Sequence, residues 1–178
     1  MPSTQRKAMR GIAGSALLLL ASAAGADLPG DLRVGTRVEA EGRRIDDQTI
    51  AATEIELKAA RSGTDEVFGA ITAVDVAENS LTVHGVRVRL TEKAALKHED
   101  GTALALADFA VGQFAEAEGV FQHGRLEATE VERKTPKPDE QLMVELGGVV
   151  TKVSPGASTF EVLGITVMVN PKTQVELR

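Results

Sequence analysis

Pairs of glutamates spaced two residues apart are the most prominent candidates for chemistry in this sequence. Glu39 and Glu41 are separated by one alanine, and Glu116 and Glu118 repeat this arrangement. Residues two apart share one face of a β-strand, so each pair could bind a cation or act as general acid and base. Phe114 has the parity of Glu116 and is the candidate exposed aromatic of this possible ligand face. A solvated polar strand face, with Phe114 in core packing, is the simpler interpretation, and we favour it at this point.

A second candidate is the run His98-Glu99-Asp100, whose side chains are of types that ligate metals. Consecutive residues rarely converge on one ion, which favours a solvated loop and leaves these three as weak metal candidates. The chain has no Cys, so thiolate nucleophiles and Cys-ligated metal sites are excluded. The phosphate-binding, nucleophile-elbow and dinucleotide motifs do not occur in the sequence. We therefore predict no catalytic residue and no cofactor.

The glutamate pairs lie in a segment that occurs twice, which we call the B half. Residues 31–42 read DLRVGTRVEAEG, and residues 108–119 read DFAVGQFAEAEG. Further along, ATEIE at 52–56 recurs as ATEVE at 128–132. Each copy therefore carries a second glutamate pair: Glu54 and Glu56, Glu130 and Glu132.

A weaker similarity joins the remaining segments, which we call A halves. GAITAV at 69–74 matches GVVTKV at 148–153, and LTVHGVRV at 81–88 matches FEVLGITV at 160–167 with the same offset. The order of halves along the chain is therefore B-A-B-A, so the internal repeat is out of phase with a simple tandem.

This order predicts the domain organisation. Residues 66–134 form one complete unit, preceded by an unpaired B half (27–59) and followed, after a proline-rich linker (135–141), by an unpaired A half (142–178). We expect 142–178 to fold back onto 31–59 and complete a second barrel in the same chain, because a tethered half has a high local concentration. A dimer that exchanges half-barrels between two chains is the alternative.

Turn signals predict that the A halves contain β-hairpins. A two-residue turn at His84-Gly85 would place the flanking apolar residues on one face of a hairpin. Leu163-Gly164 predicts the same turn in the other copy, and glycine at the second position supplies the positive φ that such turns need.

Each B half contributes two strands, near 36–42 and 49–57 and again near 113–121 and 124–133. The apolar alternation breaks once in the second strand of each copy, which predicts a β-bulge. Residues 92–108 are predicted to be a short helix or a loop. The predicted bulge sites are Thr53-Glu54 and Thr129-Glu130.

One unit thus contains three strands, an insertion and two strands, which is the plan of the OB-fold, a small Greek-key barrel. The prediction is an all-β protein of OB-like barrels, with another small barrel or a sandwich as the alternative. The pattern resembles the family called domain of unknown function 5666, repeated OB-like domains of exported bacterial proteins. The resemblance covers most of the chain after residue 26, is moderately specific for fold and implies no functional residue. It rests on structural glycine and apolar positions and on two threonines beside them: Gly69, Ile71, Val74, Leu81, Thr82, Val83, Gly85, Val88, Thr91, Phe109, Val111, Gly112, Ala117, Gly119, Ala128 and Val131.

The N-terminal segment is predicted to be a secretory signal peptide cleaved after Ala26. It has a basic start, an apolar run over 11–23 and small residues at 24–26. A retained anchor is the alternative. Cleavage would leave 17 of the 20 Lys and Arg and all 26 Asp and Glu, a formal net charge of −9, because the segment holds three basic and no acidic residues. Such a chain disfavours nucleic acid and anionic membranes as partners, and no membrane segment is expected after cleavage.

Three functions are compatible with these features. The first is an exported, periplasmic or secreted, non-catalytic binding or structural module of the bacterial envelope, with an unknown protein or small ligand as partner. The second is a periplasmic divalent-cation-binding protein that uses the carboxylate-rich strand faces. The third is a hydrolase with a carboxylate pair, which no motif supports. We expect the first, as a monomer and not an enzyme.

Overall fold

The computed structural model describes residues 27–59 and 63–178, and its regular structure is β-strand with two single-turn 3₁₀ segments. The predicted signal peptide (1–26) lies outside the described residues. The all-β barrel prediction is confirmed. The strands are β1 (Arg37–Asp46), β2 (Thr49–Lys58), β3 (Asp65–Asp75), β4 (Ser80–Val83), β5 (Val86–His98), β6 (Phe114–Gln122), β7 (Arg125–Lys134), β8 (Met143–Ser154), β9 (Thr159–Val162), β10 (Ile165–Met168) and β11 (Gln174–Leu177).

Strands β3 to β7 form a closed five-stranded barrel, which we call the central barrel. Hydrogen bonding runs in the order β3, β4, β5, β7, β6 and back to β3. The β5–β7 pair is parallel and the others are antiparallel. A parallel pair needs a crossover connection, and the segment after His98 supplies it.

The remaining strands form a second closed barrel, which we call the composite barrel. Its order is β8, β9, β10, β2, β1 and back to β8, so three strands from the C-terminal part of the chain and two from the N-terminal part surround one core. The parallel pair here is β10–β2, and β11 continues along β2. In the structure β8, β10 and β11 therefore pair with β1 or β2 of the same chain.

The hairpin turns and bulges follow the sequence prediction. His84 has φ 42° and Gly85 has φ 77°, and Leu163 and Gly164 have φ 53° and 78°. These left-handed pairs are typical of tight two-residue hairpins. Each bulge lies where the β1–β2 or β6–β7 register shifts by one residue, which leaves one threonine unpaired in each copy. The unpaired residues are Thr53 and Thr129.

A glycine faces each bulge because there is no room for a side chain. A Cβ on Gly119 would lie 2.1 Å from the carbonyl oxygen of Glu127, and one on Gly42 would lie 2.5 Å from that of Ala51. Both distances are far below van der Waals contact. The bulge bends the strand, as closure of a small barrel requires, and the glycine lets the neighbouring strand approach the bend.

The prediction of a short helix or a loop over 92–108 is only partly correct. Residues up to His98 continue β5, because they pair in parallel with β7 after a register shift. The following loop contains a single 3₁₀ turn over Leu106–Asp108. In the described residues, no helix is long and apolar enough to cross a membrane.

The two barrels are joined edge to edge and also through their hairpin turns. Residues 66–68 of β3 pair antiparallel with 145–147 of β8. The His84-Gly85 turn of the central barrel lies against the β1–β2 turn of the composite barrel, where a Cβ on Gly85 would lie 1.9 Å from the carbonyl oxygen of Asp47. The β3–β8 pairing makes β2, β1, β8, β3, β6 and β7 consecutive strands of one sheet.

Candidate functional site

Glutamates from both barrels form one continuous surface on the outer side of this six-stranded sheet. Directly opposite residues on antiparallel strands point to the same side. Strands lie about 4.8 Å apart, so a row across six strands spans about 24 Å. Ten of the twelve positions in the two central rows are glutamate, and we call this surface the glutamate face. One row is Glu56, Glu39, Gly147, Glu66, Glu118 and Glu130, and the next is Glu54, Glu41, Glu145, Phe68, Glu116 and Glu132.

The glutamate face has an approximate twofold relationship that follows from the repeat. Glu66 corresponds to Glu145, and Phe68 corresponds to Gly147, with the same offset of 79 residues. Each residue of the first row, taken from β2 to β7, therefore corresponds in the repeat to a residue of the second row, taken from β7 to β2. The axis of this relationship passes through the β3–β8 junction, so the face is symmetric about the point where the barrels meet.

Lysines neutralise the outer parts of the glutamate face in the same way in both copies. Lys58 lies 2.6 Å from Oε2 of Glu39 and 2.6 Å from Oε2 of Glu56. The equivalent Lys134 lies 3.0 Å from Glu116 and 2.6 Å from Glu132. Lys97 of β5 adds contacts to Glu130 and Glu132 at 2.7 and 3.2 Å.

The centre of the face carries carboxylates without such compensation. No ion pair to Glu41, Glu66 or Glu145 is formed by any residue of the part of the chain that the structure describes. Burial, followed by the charges of Glu116 and its neighbours, raises the pKa of Glu66 to about 7. Burial and adjacent carboxylates also raise the pKa of Glu41 and of Glu145 above the ordinary value. The centre is therefore where a bound cation would gain most.

Eight of these ten glutamates could be assigned to strand faces from the sequence, whereas the two at the junction could not. Glu66 and Glu145 precede the segments by which the A halves were aligned. If the alignment of the A halves were started three residues earlier, at the same offset of 79, it would pair Glu66 with Glu145. Their position beside the B-half glutamates depends on the β3–β8 pairing between barrels, which no local pattern predicts.

Phe114 was the candidate exposed aromatic, with core packing as the favoured interpretation, and the structure places it in buried packing. Its side chain shares the parity of Glu116, as expected, but it is buried, with 8% of its surface exposed. The ring lies 5.9 Å from that of Phe68, centroid to centroid, in a tilted arrangement. Apolar contact across the β3–β6 pair covers it.

The weak metal candidates do not converge. Nδ1 of His98 lies 3.4 Å from Oδ1 of Asp100, whereas Glu99 accepts a hydrogen bond from the backbone N–H of Thr135 at 3.2 Å. Across 27–59 and 63–178, no group of three or more His, Cys, Asp or Glu side chains is arranged to hold a metal ion.

The comparison with protein families agrees with the repeat pattern. The model of a domain of unknown function, DUF5666, matches residues 20–56, 68–132 and 147–178. The chain belongs to this family. The middle DUF5666 match covers most of the central barrel, and the outer two cover most of β1–β2 and of β8–β11. The glutamate face therefore combines strands from all three matches.

Other comparisons add little to the DUF5666 assignment. No curated protein matches the chain. Among solved structures, the fimbrial biogenesis protein PilY2 from Pseudomonas aeruginosa is similar to part of it, at 16% identity over 44% of this chain and 90% of that chain, with a TM-score of 0.33.

Proposed function

We propose that this protein is an exported, non-catalytic binding module of the bacterial envelope, and that its glutamate face binds a basic segment of another envelope component. The proposal combines an extended acidic surface with a chain that has no recognisable catalytic motif. Its export, to the periplasm or beyond the cell, rests on the basic, apolar and small-residue segments of 1–26.

Directly opposed glutamates are the observation that carries the proposal. Like charges placed opposite each other on neighbouring strands are destabilising. Six such pairs occur in the two rows, three in each barrel. Lysines bridge two of them, Lys58 between Glu39 and Glu56 and Lys134 between Glu116 and Glu132, which leaves four without a bridging cation among the described residues. A surface with only a solubility role would not need carboxylates in register across six strands. The pairs are Glu39–Glu56, Glu41–Glu54, Glu41–Glu145, Glu66–Glu118, Glu116–Glu132 and Glu118–Glu130.

The size of the surface favours an extended ligand over a single ion. A row of about 24 Å matches seven residues of extended chain at about 3.3 Å each. Lysine and arginine side chains spaced along such a segment could each approach one carboxylate pair. Charge complementarity of this kind also accelerates association, and salt weakens it.

The two other functions considered from the sequence have less support. A divalent-cation site would need several ligands around one ion, and the described residues contain no such group. A hydrolase would need carboxylates in a pocket, whereas the clefts at the barrel ends are lined by residues other than Glu66 and Glu145.

Titration of residues 27–178 with a hexalysine peptide tests the proposal. We expect saturable shifts of the backbone amide signals of Glu66, Glu145 and their strand neighbours in ¹⁵N NMR spectra. Binding should weaken strongly between about 10 and 150 mM salt, because the Debye length falls from about 30 to 8 Å. Glu66→Gln/Glu145→Gln should weaken binding about tenfold.

A matched variant controls for the change in net charge. Glu78→Gln/Glu92→Gln removes two exposed carboxylates that lie outside the glutamate face, and should leave hexalysine binding within about twofold of the original. Equal weakening by both double variants would reject the face as the site. Saturable shifts with Ca²⁺ and none with hexalysine would favour the divalent-cation function instead.

A further inference from the structure

Two clefts of equal volume, about 570 Å³ each, lie at equivalent ends of the two barrels. Both are lined by the turn before the first strand of a B half and by the end of its second strand. The matching positions include Gly35 and Gly112, Thr36 and Gln113, and Lys58 and Lys134. Both copies of the repeat therefore have an open cleft at the same place, although other elements complete its wall differently in the two barrels.

Cationic side chains line both clefts, but most of them are held in ion pairs. The cleft of the central barrel is lined by Arg44, Arg133 and Lys134 and by no carboxylate. Arg44 is paired with Asp47, and Lys134 with Glu116 and Glu132. The cleft of the composite barrel is lined by four cationic side chains and one carboxylate, and three of the four are likewise held in ion pairs. The charge left to bind an anion in the central-barrel cleft is therefore that of Arg133.

Arg133 has the most available charge in the central-barrel cleft. In the first B half, the residue equivalent to Arg133 is Leu57, which is buried. Its Nη1 donates a hydrogen bond to the carbonyl oxygen of Asp108 at 3.0 Å, which holds the guanidinium at the barrel end. Within the described residues Arg133 forms no ion pair, whereas Lys134 is held by Glu116 and Glu132.

The rest of this cleft is apolar or neutral. Phe114, Ala70 and Pro136 contribute apolar surface, and Gln113 and Gln141 contribute amide groups. A volume of about 570 Å³ is in the range of small-ligand sites, which combine apolar walls with a few polar anchors. An arginine fork is well suited to carboxylate or phosphate groups.

We propose that the central-barrel cleft binds a small organic anion, with its carboxylate or phosphate on Arg133 and its apolar part against Ala70 and Pro136, and that the equivalent cleft is a second, weaker site. This ligand is opposite in charge to the partner of the glutamate face, and its anchor Arg133 forms no ion pair with that face, although Lys134 of the cleft does. The two sites can therefore succeed or fail separately.

Benzoate and phenyl phosphate are suitable probes, with benzyl alcohol as the neutral analogue. In NMR titrations of residues 27–178, we expect saturable shifts at the amides of Gly112, Gln113 and Thr135 with either anion. Benzyl alcohol should bind at least fivefold more weakly. The stronger of the two anions identifies the preferred anionic group, and both outcomes support the site.

Variants locate the anion in the cleft. Arg133→Gln should weaken benzoate binding at least fivefold, whereas Arg87→Gln, on an exposed position of β5, should not change it. If Arg133→Gln fails to fold, Gln113→Glu provides a second test. Gln113 accepts a hydrogen bond from Ala110 N–H at 3.0 Å, which a carboxylate could also accept. The added negative charge should abolish benzoate binding, with Gln122→Glu as its exposed control.

Three results would overturn the proposal. The first is an absence of saturable shifts at these amides with both anions. The second is equal binding of benzyl alcohol, which would remove the role of charge. The third is benzoate binding that Arg133→Gln and Gln113→Glu leave unchanged. Hexalysine binding should be unaltered by Arg133→Gln, which separates failure of this site from failure of the glutamate face.

Discussion

Glu66 and Glu145 are diagonal neighbours across the β3–β8 junction. They are also equivalent residues, because Glu145 of the second A half corresponds to Glu66 of the first. Glu66 faces Gly147, and Glu145 faces Phe68. The two strands that join the barrels therefore bring two half-buried carboxylates together at the centre of the glutamate face. This arrangement should be visible in the response of the protein to pH.

The first prediction concerns Glu66 and stability. Its pKa is about 7 in the folded chain and near 4.5 when unfolded, so the folded state binds more protons between these values. Its contribution to stability therefore falls as pH rises from about 4.5 through 7. Glu66→Gln should remove this fall and raise the free energy of unfolding at pH 8 by about 1 kcal/mol, since partial exposure screens the effect. Urea unfolding at pH 5 and pH 8 measures it, and a destabilised variant at pH 8 would be inconsistent.

The second prediction concerns His84, which is buried with Nε2 unpartnered. Burial, with Arg44 nearby, lowers its pKa from 6.5 to about 4. The unfolded chain therefore binds more protons between these values, and stability is lost as pH falls from about 6.5 through 4. Asp46 and Asp47, on the facing turn, oppose the effect of Arg44.

The repeat itself suggests the substitution for His84, because the equivalent residue in the other hairpin is Leu163. His84→Leu removes an unsatisfied buried polar atom and should stabilise the chain by about 1–2 kcal/mol at pH 5. The gain should be smaller at pH 8, where His84 is neutral in both states. Thermal unfolding at the two pH values measures the difference. A loss of stability at both would indicate that His84 has a packing role that leucine cannot fill.

The sequence was informative about local structure and less so about contacts between residues that are distant along the chain. Parity breaks located both bulges, and the two-residue turns located both hairpins, because these features depend on neighbours in the chain. The burial of Phe114 depends on Phe68, which is distant in sequence. The extension of β5 to His98 likewise depends on parallel pairing with β7. The glutamate face could be predicted in four separate pieces, but its continuity depends on the β3–β8 pairing.

The third prediction concerns the glycine opposite each bulge. Gly119→Ala would place a Cβ 2.1 Å from a backbone oxygen, and should destabilise the chain by about 1–3 kcal/mol, as overpacking does. Gly156→Ala is the control, because Gly156 has open space around it. Chemical denaturation of the two variants measures the difference. Equal stabilities would show that the strands can separate at the bulge without cost.

The fourth prediction concerns closure of the composite barrel within one chain. Arg43 and Met143 are directly opposite each other in the antiparallel β1–β8 pair, at a Cα distance of about 4.5–5.5 Å that suits a disulfide. The natural chain has no Cys, so only the two introduced residues can form a disulfide. Oxidised Arg43→Cys/Met143→Cys should be a covalently closed monomer on non-reducing electrophoresis. A covalent dimer would indicate exchanged half-barrels instead.

Proton release on binding tests the glutamate face most directly. At pH 7 about half of the Glu66 side chains are protonated, given the pKa of about 7, and a bound basic segment should expel this proton. Calorimetry of hexalysine binding in two buffers with different ionisation enthalpies should therefore give different heats, and Glu66→Gln should reduce the difference. Heats that are the same in both buffers, or a difference that Glu66→Gln leaves unchanged, would contradict binding at the centre of the face.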